Sequence, residues 1–203
     1  MESMRDGPIS QAQAQRFKQL VWPLMPMVLR TAQYLTRHSQ QAEDLAQETM
    51  VKAMRGIDSY QDDTNLKAWL MTILRRTHID QLRVGRNRPD EVSVASDVLE
   101  VTVPDSSKAA GEFDEQWEEP EALMGRFEDD AIIKALGELP EDIRWTLLLV
   151  DVEKMEQVEV AAILNVAVGT IKSRTHRGRS MLRDRLYQLA LQRGWVAARE
   201  STP

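Results

Sequence analysis

The chain has 203 residues, 42% of them hydrophobic and 29% charged, a composition that supports one moderate core or two small ones in a soluble globular protein. No apolar run approaches the roughly eighteen residues of a spanning helix, and Glu2, Arg5 and Asp6 precede any apolar stretch, so neither a membrane segment nor a signal peptide is expected. With no cysteine there are no disulfides or thiolate metal sites, which suits a reducing cytoplasm, and the formal net charge of −6 becomes informative only once it is placed along the chain.

Three helices are legible on the N-terminal side. The first spans Phe17 to about Thr36, with Leu20, Val21, Leu24, Val28 and Leu29 at helical spacing and with Pro23 and Pro26 set to bend or delay its regular part. The second follows Ser39, an expected N-cap with Glu43 and Asp44 in the first turn, and runs to Gly56. Its inward stripe is Ala42, Leu45, Ala46, Thr49, Met50 and Ala53, while Asp44, Gln47, Glu48 and Val51 form a separate face. The third runs from about Asn65 to Arg86, burying Leu66, Leu70, Ile73 and Leu74 and presenting Thr72, Arg76, Arg83 and Arg86, with Trp69 either in the core or free to stack on a base. Between Lys67 and Arg88 the charges are mostly basic.

An acidic connector follows. From Asp90 to Glu121 it holds Asp97, Glu100, Asp105, Glu112, Asp114, Glu115, Glu118 and Glu119 against the single cation Lys108, and Pro104, Ser106, Ser107 and Gly111 interrupt any periodicity. Residues 90–127 are therefore expected to be an irregular linker, with the segment VSVASDVLEVTV docking extended on a partner rather than pairing as a strand.

The stretch Gln157 to Arg185 then reads as a helix-turn-helix. Val158, Ala161, Ile163 and Leu164 form the apolar face of a first helix, Asn165 tolerates the left-handed turn, and a second helix opens near Val168-Gly169-Thr170. That second helix carries Lys172, Arg174, Arg177, Arg179, Arg183 and Arg185, a density of cations suited to base edges and flanking phosphates. A solvated basic helix closing a bundle is the plainer alternative. Enzymatic chemistry finds little support: His38, His78 and His176 lie far apart, and no HExxH, P-loop or GxSxG is present.

Two strings carry a family resemblance. AEDLAQETMVKAMRGIDSYQDDTNLKAWLMTILRRTHIDQLR (residues 42–83) resembles region 2, and LPEDIRWTLLLVDVEKMEQVEVAAILNVAVGTIKSRTHRGRSMLRDRL (residues 139–186) resembles region 4, of the extracytoplasmic-function sigma factors of bacterial RNA polymerase. The resemblance implies an all-α protein of two small helical domains: a flexible N-terminus at 1–15, region 2 at 16–89, the acidic linker, region 4 at 128–190 and a tail at 191–203. It implies core RNA polymerase as partner, through the clamp helices of the largest subunit and the flap, together with promoter DNA and a cognate anti-sigma factor. No cofactor or metal is implied.

By the same resemblance Asp44, Gln47 and Glu48 dock on the polymerase; Asp63, Thr64, Asn65, Lys67, Trp69, Arg75, Arg76 and Arg83 hold the melted −10 element; and Thr170, Lys172, Ser173, Arg174, His176, Arg177 and Arg179 meet the −35 element. Among these, Lys172, Ser173, His176 and Arg177 are expected to read bases, with Arg174 and Arg179 nearer the backbone. The chain departs from the family pattern at Arg76, where Asn is common, at Gln157 and Ala167, where an aromatic and Pro are frequent, and at Asn165 in place of Gly. A free-standing helix-turn-helix regulator acting as a dimer, and a polymerase adaptor without promoter reading, are the competing classes.

Overall fold

In the computed structural model the described residues are 9–36, 38–62, 64–86 and 129–192, and every regular element among them is helical. The connector, including VSVASDVLEVTV, lies outside them, as does Asp63.

The first expected helix is two. Helix α1 spans Gln11–Leu20, a short 3-10 turn covers Trp22–Leu24, and α2 spans Met25–Thr36. Pro23 sits in the 3-10 turn and Pro26 at the start of α2, where a missing N–H costs no helical bond, so the prolines divide the segment rather than bend it. The start of α1 at Gln11 falls within the 1–15 stretch expected to be flexible. A reciprocal cap explains it: Ser10 Oγ accepts from the Gln13 N–H at 3.1 Å, and the Ser10 N–H donates to Gln13 Oε1 at 2.9 Å.

Helix α3 spans Ser39–Gly56, but the capping residue is His38, with Ser39 already helical and its hydroxyl on the Glu43 carboxylate at 3.2 Å. All six residues of its inward stripe are buried. Helix α4 spans Leu66–Arg86, and Asn65 caps it by accepting the Ala68 N–H at 3.1 Å. Leu70 and Leu74 are fully buried, whereas Leu66, Ile73 and Thr72 are half-buried. Helices α1 to α4 pack around α3 as one module.

The second module begins with α5, Asp129–Gly137, and α6, Glu141–Leu147. Arg144 closes the corner between them, donating to the carbonyls of Leu136 (3.0 Å), Gly137 (2.8 Å) and Leu139 (2.9 Å) at and just beyond the end of α5. A wide π-helical turn over Leu148–Val152 leads to α7, Gln157–Leu164, and α8, Val168–Gln192. Asn165 adopts φ 55°, ψ 50°, and the Val166 N–H reaches back to the Ala161 carbonyl at 3.0 Å, so the turn ends α7 and aims α8. Val158, assigned to the apolar face of α7, is 68% exposed, and Val160 is buried in its place. The helix is apolar on nearly every side, so periodicity alone does not select the inner face.

Candidate polymerase and nucleic-acid interfaces

On α3, Asp44 and Gln47 are exposed beside the half-buried Glu48. Asp44 accepts from Gln40 at 3.1 Å, and Glu48 accepts from Gln81 of α4 at 2.8 Å and pairs with Lys52 at 2.8 Å. Burial works against ionising Glu48, yet the hydrogen bonds from Lys52 and Gln81 with the Lys52 charge hold its carboxyl below the ordinary range. The three side chains lie one helical turn or less apart and form a fixed acidic and amide face.

The loop between α3 and α4 is braced from α1, which sequence reasoning missed. Arg16 donates to the carbonyls of Ile57 and Tyr60, both at 2.9 Å, pairs with Asp62 at 2.6 Å and stands 5.7 Å from the Tyr60 ring centre. Thr64 is tied into the loop, its hydroxyl donating to the Gln61 carbonyl at 2.8 Å and its carbonyl accepting from the Tyr60 hydroxyl at 2.7 Å. Trp69 is half-buried with its ring centre 5.5 Å from that of Tyr60, so it serves as packing and still offers an edge.

The basic residues of α4 divide into two groups. Arg76 and Arg83 are exposed, Arg83 only 4.0 Å from Asp80. Lys67 and Arg75 are half-buried and turned toward the second module: Lys67 pairs with Glu153 at 3.0 Å and also donates to its carbonyl, and Arg75 reaches the Ile163 carbonyl at 3.4 Å. Burial lowers the Arg75 pKa. Asn65, exposed just before α4, also reaches the second module, donating to Glu159 at 2.5 Å.

On α8, Lys172, His176 and Arg177 are exposed along one flank, and Gly169 faces open space at the start of the helix. Thr170 is half-buried and accepts the Ser173 hydroxyl at 3.0 Å. Arg174 and Arg179 have internal partners. Arg174 pairs with Asp142 at 2.9 Å, and Arg179 grips Asp151 of the π turn with bonds of 2.6 and 3.2 Å. The turn places the Asp151 carboxylate beneath α8, a pairing across 28 residues that helical periodicity does not encode. An aspartate within an apolar run was the one available signal.

The described fold and its exposed basic recognition helix define a helix-turn-helix DNA-binding protein carrying a separate helical module. The family models for Sigma-70 region 2 and Sigma-70, region 4 match residues 20–88 and 129–182 respectively. The chain is 33% identical to the ECF RNA polymerase sigma factor EcfG of Rhodopseudomonas palustris over 80% of its own length and 81% of that protein's. It is 31% identical to the ECF RNA polymerase sigma factor SigW of Bacillus subtilis, over 73% and 77% of the two chains. Among solved structures it resembles the sigma factor RpoE of Bartonella quintana, crystallised with the anti-sigma factor NepR, with a TM-score of 0.66, 31% identity and coverage of 85% and 98%. The chain belongs to the extracytoplasmic-function sigma factors, and the match to region 2 disfavours a free-standing helix-turn-helix regulator.

Proposed function

We propose that this sigma factor binds core RNA polymerase through Asp44, Gln47 and Glu48 on α3 and carries it to promoters, with region 4 on duplex −35 DNA and region 2 on melted −10 DNA. It acts in the cytoplasm, performs no covalent chemistry, and is held in check by a cognate anti-sigma factor, as the Bartonella relative's complex suggests. We divide the chain into region 2 at 16–89, linker at 90–127 and region 4 at 128–190, a division supported by family matches at 20–88 and 129–182. The observation carrying the reading is the exposed flank Lys172, His176 and Arg177 on a helix fixed by the Asn165 turn, beside a module whose α3 presents Asp44 and Gln47 exposed outside its buried stripe. Run-off transcription with purified core polymerase on genomic fragments tests it, with failure to select any promoter as the contrary result.

The core-binding face is best tested with Asp44→Ala and Gln47→Ala together, because Glu48 also ties α3 to α4. The double variant is expected to weaken core binding at least about tenfold, or ~1.4 kcal/mol, with unchanged helicity. Competition against the parent protein for core measures this, and equal competition removes the assignment.

Arg177 and Arg179 separate reading from support. Arg177→Ala is expected to lose about 1–3 kcal/mol of −35 binding and relax preference at one base pair, with little change in thermal stability. Arg179→Ala leaves the buried Asp151 carboxylate unpaired, so it is expected to cost about 1–2 kcal/mol of folding stability, the half-exposed guanidinium limiting the loss. Thermal melts and footprinting on one −35 fragment separate the two, and an unchanged melt for Arg179→Ala shows that its contact with Asp151 contributes nothing.

A further inference from the structure

Helix α1 lies almost wholly ahead of residues 20–88, the stretch matched to region 2, yet two of its side chains hold the loop between α3 and α4. The phase of α1 is fixed by the Ser10–Gln13 cap at its start and by the buried Phe17. That phase brings Gln13 and Arg16, three residues apart, to one side of the helix. Gln13 Nε2 donates to Asp58 Oδ2 at 2.7 Å in the 3-10 turn Ile57–Ser59. Arg16 reaches further: Nη1 donates to the Ile57 carbonyl and Nη2 to the Tyr60 carbonyl, and Nη2 also meets Asp62 Oδ1. Tyr60 passes the constraint on, because its hydroxyl donates to the Thr64 carbonyl at 2.7 Å while the Thr64 N–H closes on the Gln61 carbonyl at 3.0 Å. The ion pair is the lesser part of this brace. The Asp62 side chain is 73% exposed, where water and salt screen the attraction. The carbonyl bonds are charge-assisted, come from a guanidinium only 29% exposed, and fix two backbone positions with one rigid fork.

We propose that Arg16 is a positioning residue for capture of the −10 strand: it sets the α3–α4 loop in its receiving form before DNA arrives, without touching DNA itself. The inference rests on the reading that Thr64, Asn65 and the exposed cations of α4 meet that strand. A loop without the brace samples several backbone arrangements, and only the fraction in the receiving form takes up a base, so apparent affinity falls by that fraction. The contact with Asp62 has a second effect. It draws a loop carboxylate toward α1 and pairs its charge, which reduces repulsion of approaching phosphates. Shape and charge are separable here, because a lysine ammonium supplies the charge but not the planar fork.

The test uses holoenzyme made with the full chain and a fluorescent single strand carrying the −10 element of a promoter selected by run-off transcription. Arg16→Ala is expected to lower strand affinity at least about fivefold, chiefly through slower association, because the receiving form becomes scarce while its own contacts are unchanged. Arg16→Lys is expected to stay at least about threefold weaker than the parent, and it decides the matter if Arg16→Ala folds poorly. The salt slope of binding should be unchanged in both, since Arg16 neutralises no phosphate. In the free protein the Tyr60 and Thr64 amides should exchange faster in both variants, with those of the buried α3 stripe unaffected. Full affinity in Arg16→Lys shows that charge alone suffices, and a slope reduced by about one unit in Arg16→Ala makes Arg16 a phosphate contact; either result overturns the proposal. So does faster loop exchange with unchanged strand affinity. Arg76→Ala with Arg83→Ala, both exposed cations assigned to the −10 strand, tells the two failures apart. If that pair weakens strand binding while Arg16→Ala does not, the positioning role alone is lost, whereas unchanged affinity in all of them removes the −10 reading and the proposal with it.

Discussion

Gly178→Val is expected to lower stability by about 3 kcal/mol, which for a chain of this size corresponds to a fall in Tm of roughly 6–12 °C. Gly178 is the point where α8 crosses α6. A Cβ there would lie 2.6 Å from Ile143 Cγ2 and 3.0 Å from two atoms of Leu147, and the Ile143 methyl sits on a stiff β-branched side chain that cannot swing aside. Alanine at this position would regain about 1 kcal/mol of helix propensity, offsetting part of the clash, whereas valine adds two further methyl groups in the same space. The consequence reaches the proposed DNA flank, because Lys172 and Arg177 are displayed on the helix that this contact bolts down. Calorimetry, followed by −35 fragment binding below the lowered Tm, measures both effects. An unchanged Tm would mean that α6 and α8 do not pack at the closeness described.

The sequence reading did not single out Gly178, although a glycine inside a helix is a signal of close approach that was available there. Some features were legible locally. The stripe of α3 and the Asn165 turn follow from spacing and from the conformational tolerance of one residue, and both are present. Among the local expectations that failed, Ser39 gave up the cap to His38, and an apolar α7 concealed that Val160 rather than Val158 faces inward. The candidate sites were legible as charge but not as pairing. Glu153 contacts Arg30 and Thr31 across more than 120 residues, and no periodicity reports a partner at that separation. For Arg174 and Arg179, expected near the DNA backbone, cation density marks the helix without revealing that Asp142 and Asp151 pair with them in this structure.

Folding stability is expected to fall as pH drops below about 6.5, and His78 is the cause. Its ring packs against Trp145, with ring centres 5.8 Å apart, where burial, aided by the Arg144 charge, lowers its pKa from 6.5 to about 4. Glu141 Oε1 stands 3.7 Å from Nδ1, but burial outweighs that attraction and the imidazole stays neutral. Between pH 6.5 and 4 the unfolded chain therefore binds a proton that the folded chain refuses, so stability rises with pH across this window and is lost as pH falls through it. The full shift corresponds to about 3 kcal/mol, of which about 2 kcal/mol is lost between pH 6.5 and 5, above the range where most carboxylates titrate. His78→Phe keeps a ring against Trp145 and removes the proton site. Denaturant unfolding at pH 7, 6 and 5 is expected to show a falling midpoint for the parent and a nearly flat one for the variant. Parallel slopes for the two proteins would place the acid sensitivity elsewhere and leave His78 as a packing ring with no linkage to folding.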